Sequence, residues 1–142
     1  MALEKKTNIT VQNTVQAPID KVWKNWTTPE NIVKWNAASD DWHTTKAEND
    51  LRTGGKFVWR MEAKNGSMGF DFSGVYDDVK NHSQIASTLD DGRKWKITFT
   101  DKGDKTEVVE TFEAETENPI EMQRDGWQAI LNNFKKHVEV GL

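Results

Sequence analysis

The stretch Asn118 to Glu139 constrains this chain most. It reads as one long amphipathic helix, and no other segment is long enough to cover a sheet. Ile120, Trp127, Leu131, Phe134 and Val138 fall on one stripe at helical spacing, with Ile130 on its flank. Asn118 is placed to cap it, Pro119 suits the first helical position, and Glu121 stands where a capping-box carboxylate would. Lys135, Lys136 and His137 lie in the closing turns, where positive charge suits the helix dipole, and Gly141 follows as a stop. Two residues break the pattern. Gln123 is polar within the buried stripe, and Gly126 stands mid-helix, where it costs roughly 1 kcal/mol against alanine. A helix apolar along its second half and partly polar along its first predicts a lid over an interior that is not fully packed.

The segments before it predict what that helix covers. Ile9, Val11 and Val15 alternate with Thr10, Gln12 and Thr14 as a half-buried strand, whose apolar face Asn13 interrupts. Ala17-Pro18 opens a short helix carrying Ile19, Val22, Trp23 and Trp26. Thr28-Pro29-Glu30 opens a second, with Thr28 as cap and Ile32, Val33 and Trp35 along it. Trp42 to Asn49 reads as a polar edge strand, followed by a Gly54-Gly55 turn. Phe57, Trp59 and Met61 face one way, and Val58, Arg60 and Glu62 the other, before a favoured hairpin turn at Asn65-Gly66. Phe70, Phe72 and Tyr76 alternate with Asp71 and Ser73, and Gly74 marks a bend or a close approach. Ile85, Ser87 and Leu89, then Trp95, Ile97 and Phe99, then Val108, Glu110, Phe112 and Ala114 give three more strand faces. Turns fall at Asp91-Gly92 and around Gly103. The order predicts an α+β fold: a strand, two short helices, a run of hairpin-linked strands, and a terminal helix gripped by a curved antiparallel sheet.

Residues 1–142 are expected to form one domain, of a size that buries roughly 68–70% of its unfolded surface. The chain has no cysteine, which removes disulfide frameworks and thiol chemistry. A formal net charge of -4 argues against a nucleic-acid partner. Met1 to Thr7 lacks an apolar signal segment, and no run approaches membrane-spanning length. The expectation is a cytoplasmic protein without membrane partner, a monomer or a weak dimer. Seven tryptophans and six phenylalanines against one tyrosine provide large contact area per residue, for a core or for the walls of a pocket.

Strand alternation and helical spacing collect a candidate site. Trp59, Met61, Phe70, Phe72, Trp95, Phe99 and Phe112 face Trp127 and Ile130, with Trp35 beside them. They either pack as an ordinary core or line an apolar pocket with a few polar groups. Tyr76 and Gln123 are the candidate orienting groups. Glu110 shares the inward face of Val108 and Phe112, and an ionised carboxylate there costs several kcal/mol unless paired or protonated. Three arrangements stay open: pairing with Arg124 or Gln123 on the covering helix, a bulge that turns it outward, or a pocket carboxyl with a raised pKa. Asp40-Asp41-Trp42-His43 lacks a second histidine at ligand spacing, so no metal site is expected. His82 and His137 have no nucleophile beside them in sequence, and Gly54-Gly55-Lys56 lacks the rest of a phosphate loop. No catalytic residue and no cofactor is named by these patterns.

Several local strings resemble a known family. They are Ala17-Pro18-Ile19-Asp20-Lys21-Val22-Trp23, Trp35 closing the second helix, and Asp50-Leu51-Arg52-Thr53-Gly54-Gly55. With them go Gly69-Phe70-Asp71-Phe72-Ser73-Gly74-Val75-Tyr76 and Gly126-Trp127-Gln128-Ala129-Ile130-Leu131. Together they resemble the START-like or birch-pollen-allergen-like (SRPBCC, helix-grip) superfamily. Within it they are most similar to the bacterial branch named after the activator of heat shock protein 90 ATPase, some members of which are termed polyketide-cyclase-like. The resemblance implies a seven-stranded curved antiparallel sheet, two short helices and a long C-terminal helix enclosing a cavity. It implies no shared catalytic residues. Two functions follow as expectations: a carrier, sensor or cofactor-free enzyme for a small hydrophobic molecule, or a co-chaperone-like domain contacting a heat-shock ATPase. A partly polar cavity of roughly 300 Å³ or more favours the first, and a filled interior with an exposed apolar patch favours the second.

Overall fold

The computed structural model describes residues 7–140. In chain order the elements are β1 (Asn8–Val15), α1 (Ile19–Thr27), α2 (Pro29–Trp35), β2 (Trp42–Asn49), β3 (Lys56–Ala63), β4 (Gly69–Lys80), β5 (Gln84–Leu89), β6 (Lys94–Asp101), β7 (Thr106–Glu113) and α3 (Ile120–Val140). Seven strands form one antiparallel, curled sheet in the order β1-β7-β6-β5-β4-β3-β2. The helix-grip architecture expected from the sequence is therefore the one observed. The polar strand β2 lies at an edge, and β1 is the other edge.

The apolar halves of α1, α2 and α3 meet the concave face. Leu131, Phe134 and Val138 of α3 are fully buried against Ile9, Val11 and Val15 of β1, Val22 and Trp26 of α1, and Ile32 of α2. Each such side chain contributes roughly 1.5–3 kcal/mol by leaving water. A stripe of α3 flanking the buried one closes the β1 edge. Gln128 Nε2 donates to Gln12 O over 3.1 Å, Lys135 Nζ donates to Thr14 O over 2.7 Å, and Gln16 N donates to Glu139 Oε2 over 2.8 Å. Spacings of seven and four put these three side chains on one helix face, where they occupy edge groups that would otherwise template another strand. Asn13, the polar break in the β1 face, donates its amide to Leu131 O over 3.0 Å.

Two register shifts bend the sheet, between Thr44 and Lys46 on β2 and between Tyr76 and Asp78 on β4. After the second, the inward positions pass from even-numbered residues to Val79. Gly74 is a close approach and not a bend: an added Cβ would stand 2.5 Å from Thr88 O and 3.0 Å from the Phe57 ring.

Some local expectations differ from the structure. The helix α3 starts at Ile120, with its first bond from Gln123 N to Pro119 O at 3.2 Å, so Pro119 precedes the helix proper. Asn118 does not cap it. Its side-chain amide donates to Glu115 Oε2 in the preceding loop, and its backbone carbonyl accepts from Gln123 Nε2 of α3. Thr28 holds the N-cap position of α2, yet its side chain makes no capping bond. Asn65-Gly66 lies in the β3–β4 connection, but only Gly66 has positive φ (+77°), so the turn is not the two-residue hairpin type. Asn65 Oδ1 instead accepts from Ser67 N. Gly141, expected as the stop of α3, lies outside the described residues.

Candidate functional site

The sheet register assembles a wall of rings. Trp59 stands opposite Phe72 and Met61 opposite Phe70 across β3 and β4, with Trp95 facing them from β6. Over this wall α3 places Trp127. Its ring stacks on Phe112 at 3.8 Å between centroids and 14° between planes, and meets Trp95 (5.4 Å) and Phe72 (5.9 Å) edge-on. Trp35 from α2 closes the other side against Trp59 at 6.1 Å, and Trp26 from α1 lies 4.8 Å from Trp35. Edge-on packing at these separations is favourable for aromatic pairs, but flat rings set at steep angles do not fill all the space between them.

A cavity of about 140 Å³ remains, lined by Trp26, Trp35, Asn36, Trp59, Met61, Phe70, Phe72, Trp95, Glu110, Trp127 and Ile130. Phe70 is 47% exposed, and Met61, Trp127 and Ile130 are half-buried, so the open side lies between the β3–β4 hairpin and α3. The volume is well under the 300 Å³ expected for a ligand pocket. It is close to the roughly 150 Å³ of an engineered apolar cavity that accepts one benzene molecule.

Nine of the sequence candidates come together here: Trp35, Trp59, Met61, Phe70, Phe72, Trp95, Glu110, Trp127 and Ile130. Four stand outside the lining. Phe112 lies beneath Trp127, and Phe99 packs against Trp23 and Trp26. Tyr76 lies on Phe57, and its hydroxyl donates to Asn49 Oδ1, whose amide in turn donates to Thr27 O. Burial pushes the Tyr76 phenol pKa upward. Gln123 is buried, but its amide serves the loop before α3: Oε1 accepts from Glu115 N at 2.9 Å, and Nε2 donates to Glu115 O at 3.1 Å and to Asn118 O at 2.8 Å. Periodicity cannot separate these roles, since it gives the face of a residue and not its depth along that face. Trp26 and Asn36 were missed. Trp26 sat in plain view on the α1 stripe, while Asn36 gave no signal: its burial depends on a bond from its amide to Thr44 Oγ1 at 3.1 Å.

Neither of the first two arrangements of Glu110 is observed. It is 2% exposed, makes no bond to Arg124 or Gln123, and sits in regular register with both β1 and β6, so no bulge turns it outward. Its partner is Trp95, whose indole N–H donates to Oε1 over 3.1 Å. Loss of solvation pushes its pKa up to about 8, against the smaller opposing pull of the Trp95 bond. The Trp59 indole N–H is sealed from solvent and meets no acceptor in the protein.

Asp40 and His43 line a separate, open cleft with Lys34, Lys64, Lys136 and His137. Partial burial, then neighbouring Lys34, lower the His137 pKa. Asp41 is bonded by the Ser39 hydroxyl, which holds its carboxyl below the usual range. Among the described residues, no three His, Asp or Glu side chains converge as metal ligands, and no helix is long and apolar enough to cross a membrane.

Residues 16–139 match the family described as Activator of Hsp90 ATPase homolog 1-like protein. The solution structure of an AHSA1-like protein from Aeromonas hydrophila superposes with a TM-score of 0.89 at 42% identity, covering 95% of this chain and 94% of that one. A protein from Cytophaga hutchinsonii is 54% identical with a TM-score of 0.82, over 94% and 93% of the two chains. One from Chromobacterium violaceum shares the fold at 23% identity and a TM-score of 0.83, over 94% and 98%. No curated protein matches the chain.

Proposed function

The chain belongs to the family of Activator of Hsp90 ATPase homolog 1-like proteins, and on that premise we propose that it binds one small apolar or aromatic molecule between its sheet and α3. The observation that carries this reading is the aromatic cavity of about 140 Å³ with the Glu110 carboxyl in its wall. A domain whose interior served packing alone gains nothing from a buried carboxyl without a cationic partner, which costs stability at neutral pH and above. The volume limits the ligand to about one ring, smaller than a polyketide. No residue lining the cavity is paired as nucleophile and base.

Native mass spectrometry of the purified protein, followed by thermal shift with one-ring ligands, tests the reading. A ligand at a hundredfold excess over its Kd stabilises by about 2.7 kcal/mol. The absence of both a co-purified compound and any shift across the set counts against it.

A second reading, contact with a heat-shock ATPase, rests on the family description and on Met68 and Phe70, exposed at 66% and 47% at the β3–β4 hairpin. Stimulation of such an ATPase by the wild type, lost in Met68→Ser with Phe70→Ser, would favour it.

A further inference from the structure

A carboxyl without a counter-charge in the cavity wall carries an inference that rests on the ligand-binding reading above and gives the ligand its charge. Five tryptophans and two phenylalanines line the cavity, and Glu110 is its one ionisable side chain. No cation faces that carboxyl from the elements around it. Val11 stands opposite it on β1 and Ile97 on β6, and α1, α2, β3, β4 and α3 bring only uncharged groups to the cavity. The Trp95 bond occupies Oε1, while Oε2 has no partner among the described residues. Unlike the Trp59 indole nitrogen, Oε2 is not sealed: it keeps accessible surface, which in a wall residue only 2% exposed faces the cavity. The carboxyl is already out of water in the free protein, so pairing it with a cation adds only the desolvation of that cation. Aromatic ring faces attract a cation as well, most strongly where water is excluded.

We propose that the cavity takes a small protonated amine of about one ring, whose N–H donates to Glu110 Oε2 while its carbon skeleton lies against the aromatic wall. The amine enters as the ammonium ion and the carboxyl gives up its own proton to water, so binding below pH 8 releases a proton. For a neutral ligand a glutamine in this place offers both a donor and an acceptor. Negative charge is the one property that a glutamate adds, and only a cationic ligand uses it. An organic anion meets a carboxyl and no cation, since no Lys, Arg or His lines the cavity. A hydrocarbon leaves Oε2 bare. A neutral ether suits the Trp26 and Trp127 indole N–H groups, which have no acceptor among the described residues, and it is the competing occupant.

The test uses three one-ring probes on the wild-type protein: piperidine, which is protonated at both pH 7 and pH 9, its neutral isostere tetrahydropyran, and benzene. Titrations followed on the tryptophan indole N–H resonances by ¹⁵N-edited NMR give the affinities and place the probe. The expected result at pH 9 is piperidine binding at least about tenfold tighter than either neutral probe. Its affinity falls about tenfold from pH 9 to pH 7, as the ionised fraction of Glu110 in the free protein drops from about nine-tenths to about a tenth. At pH 7 the Trp95 indole proton moves downfield with piperidine, because its acceptor becomes a carboxylate. In Glu110→Gln the preference for piperidine is lost while benzene still binds. Tetrahydropyran or benzene binding as tightly as piperidine at pH 9, a piperidine affinity equal at the two pH values, an unmoved Trp95 resonance, or a preference kept in Glu110→Gln overturns this inference and leaves the cavity reading standing. If no probe binds, both fall.

Discussion

The Trp95 indole N–H reaches diagonally across β6–β7 and donates to Glu110 Oε1 over 3.1 Å, so a fluorophore sits directly on the buried carboxyl. With the Glu110 pKa pushed up to about 8, the carboxyl is mostly protonated at pH 7. Tryptophan emission is expected to titrate with a midpoint near pH 8 in the wild type and to lose that transition in Glu110→Gln. A midpoint in the ordinary carboxylate range, near 4, would show that Glu110 is solvated or paired.

The same displacement makes stability depend on pH. Below about 4.5 Glu110 is protonated in both folded and unfolded chains. Between there and about 8 only the folded state keeps the proton, so this group's contribution to stability falls as pH rises. Above about 8 both states are ionised and the decline stops. Urea melts of wild type and Glu110→Gln at pH 5 and pH 9 should therefore diverge, the variant gaining roughly 3–5 kcal/mol relative to wild type at the higher pH. Parallel melts would contradict the assignment.

Gln123 ties the loop before α3 through three hydrogen bonds and stands outside the cavity lining. Replacing it with leucine should cost about 1–3 kcal/mol in chemical denaturation and leave the affinity for a one-ring ligand unchanged. Lost affinity at unchanged stability would place its amide in the site.

Two glycines should respond in opposite senses to alanine. At Gly126 the new methyl meets nothing within 4 Å, and the position is helical, so the change should stabilise by up to about 1 kcal/mol. At Gly74 the methyl meets the Thr88 carbonyl at 2.5 Å, and strand β4 must shift away from β5. A loss of about 1–3 kcal/mol is expected there, read as a drop in Tm. Equal effects at the two sites would mean that the sheet yields at Gly74.

Much of the fold was legible because each element announces itself over a short range. Alternation in β6 and β7, the Ala17-Pro18 start and the α3 stripe each need only a few neighbouring residues to be read. The start of α3 was misjudged by one residue, and Asn118 fails as its cap because Glu115 binds its amide. The site was legible in composition and less so in membership: strand parity put Glu110 and Trp95 inside, and equally put Phe99 and Phe112 there, which lie behind the lining.

By itself the sequence determined which face of each element is buried, since hydrophobic periodicity is a local property of the chain. Only the tertiary structure decided that Glu110 is left without a cation, that Gln123 is spent on a loop, and that the rings around Trp59 and Trp127 leave space for about one ring. Those outcomes depend on the distance between α3 and the curled sheet. That distance is set jointly by the bulges in β2 and β4, the anchoring of α3 on β1 and the steep angles between rings, and no single segment encodes it.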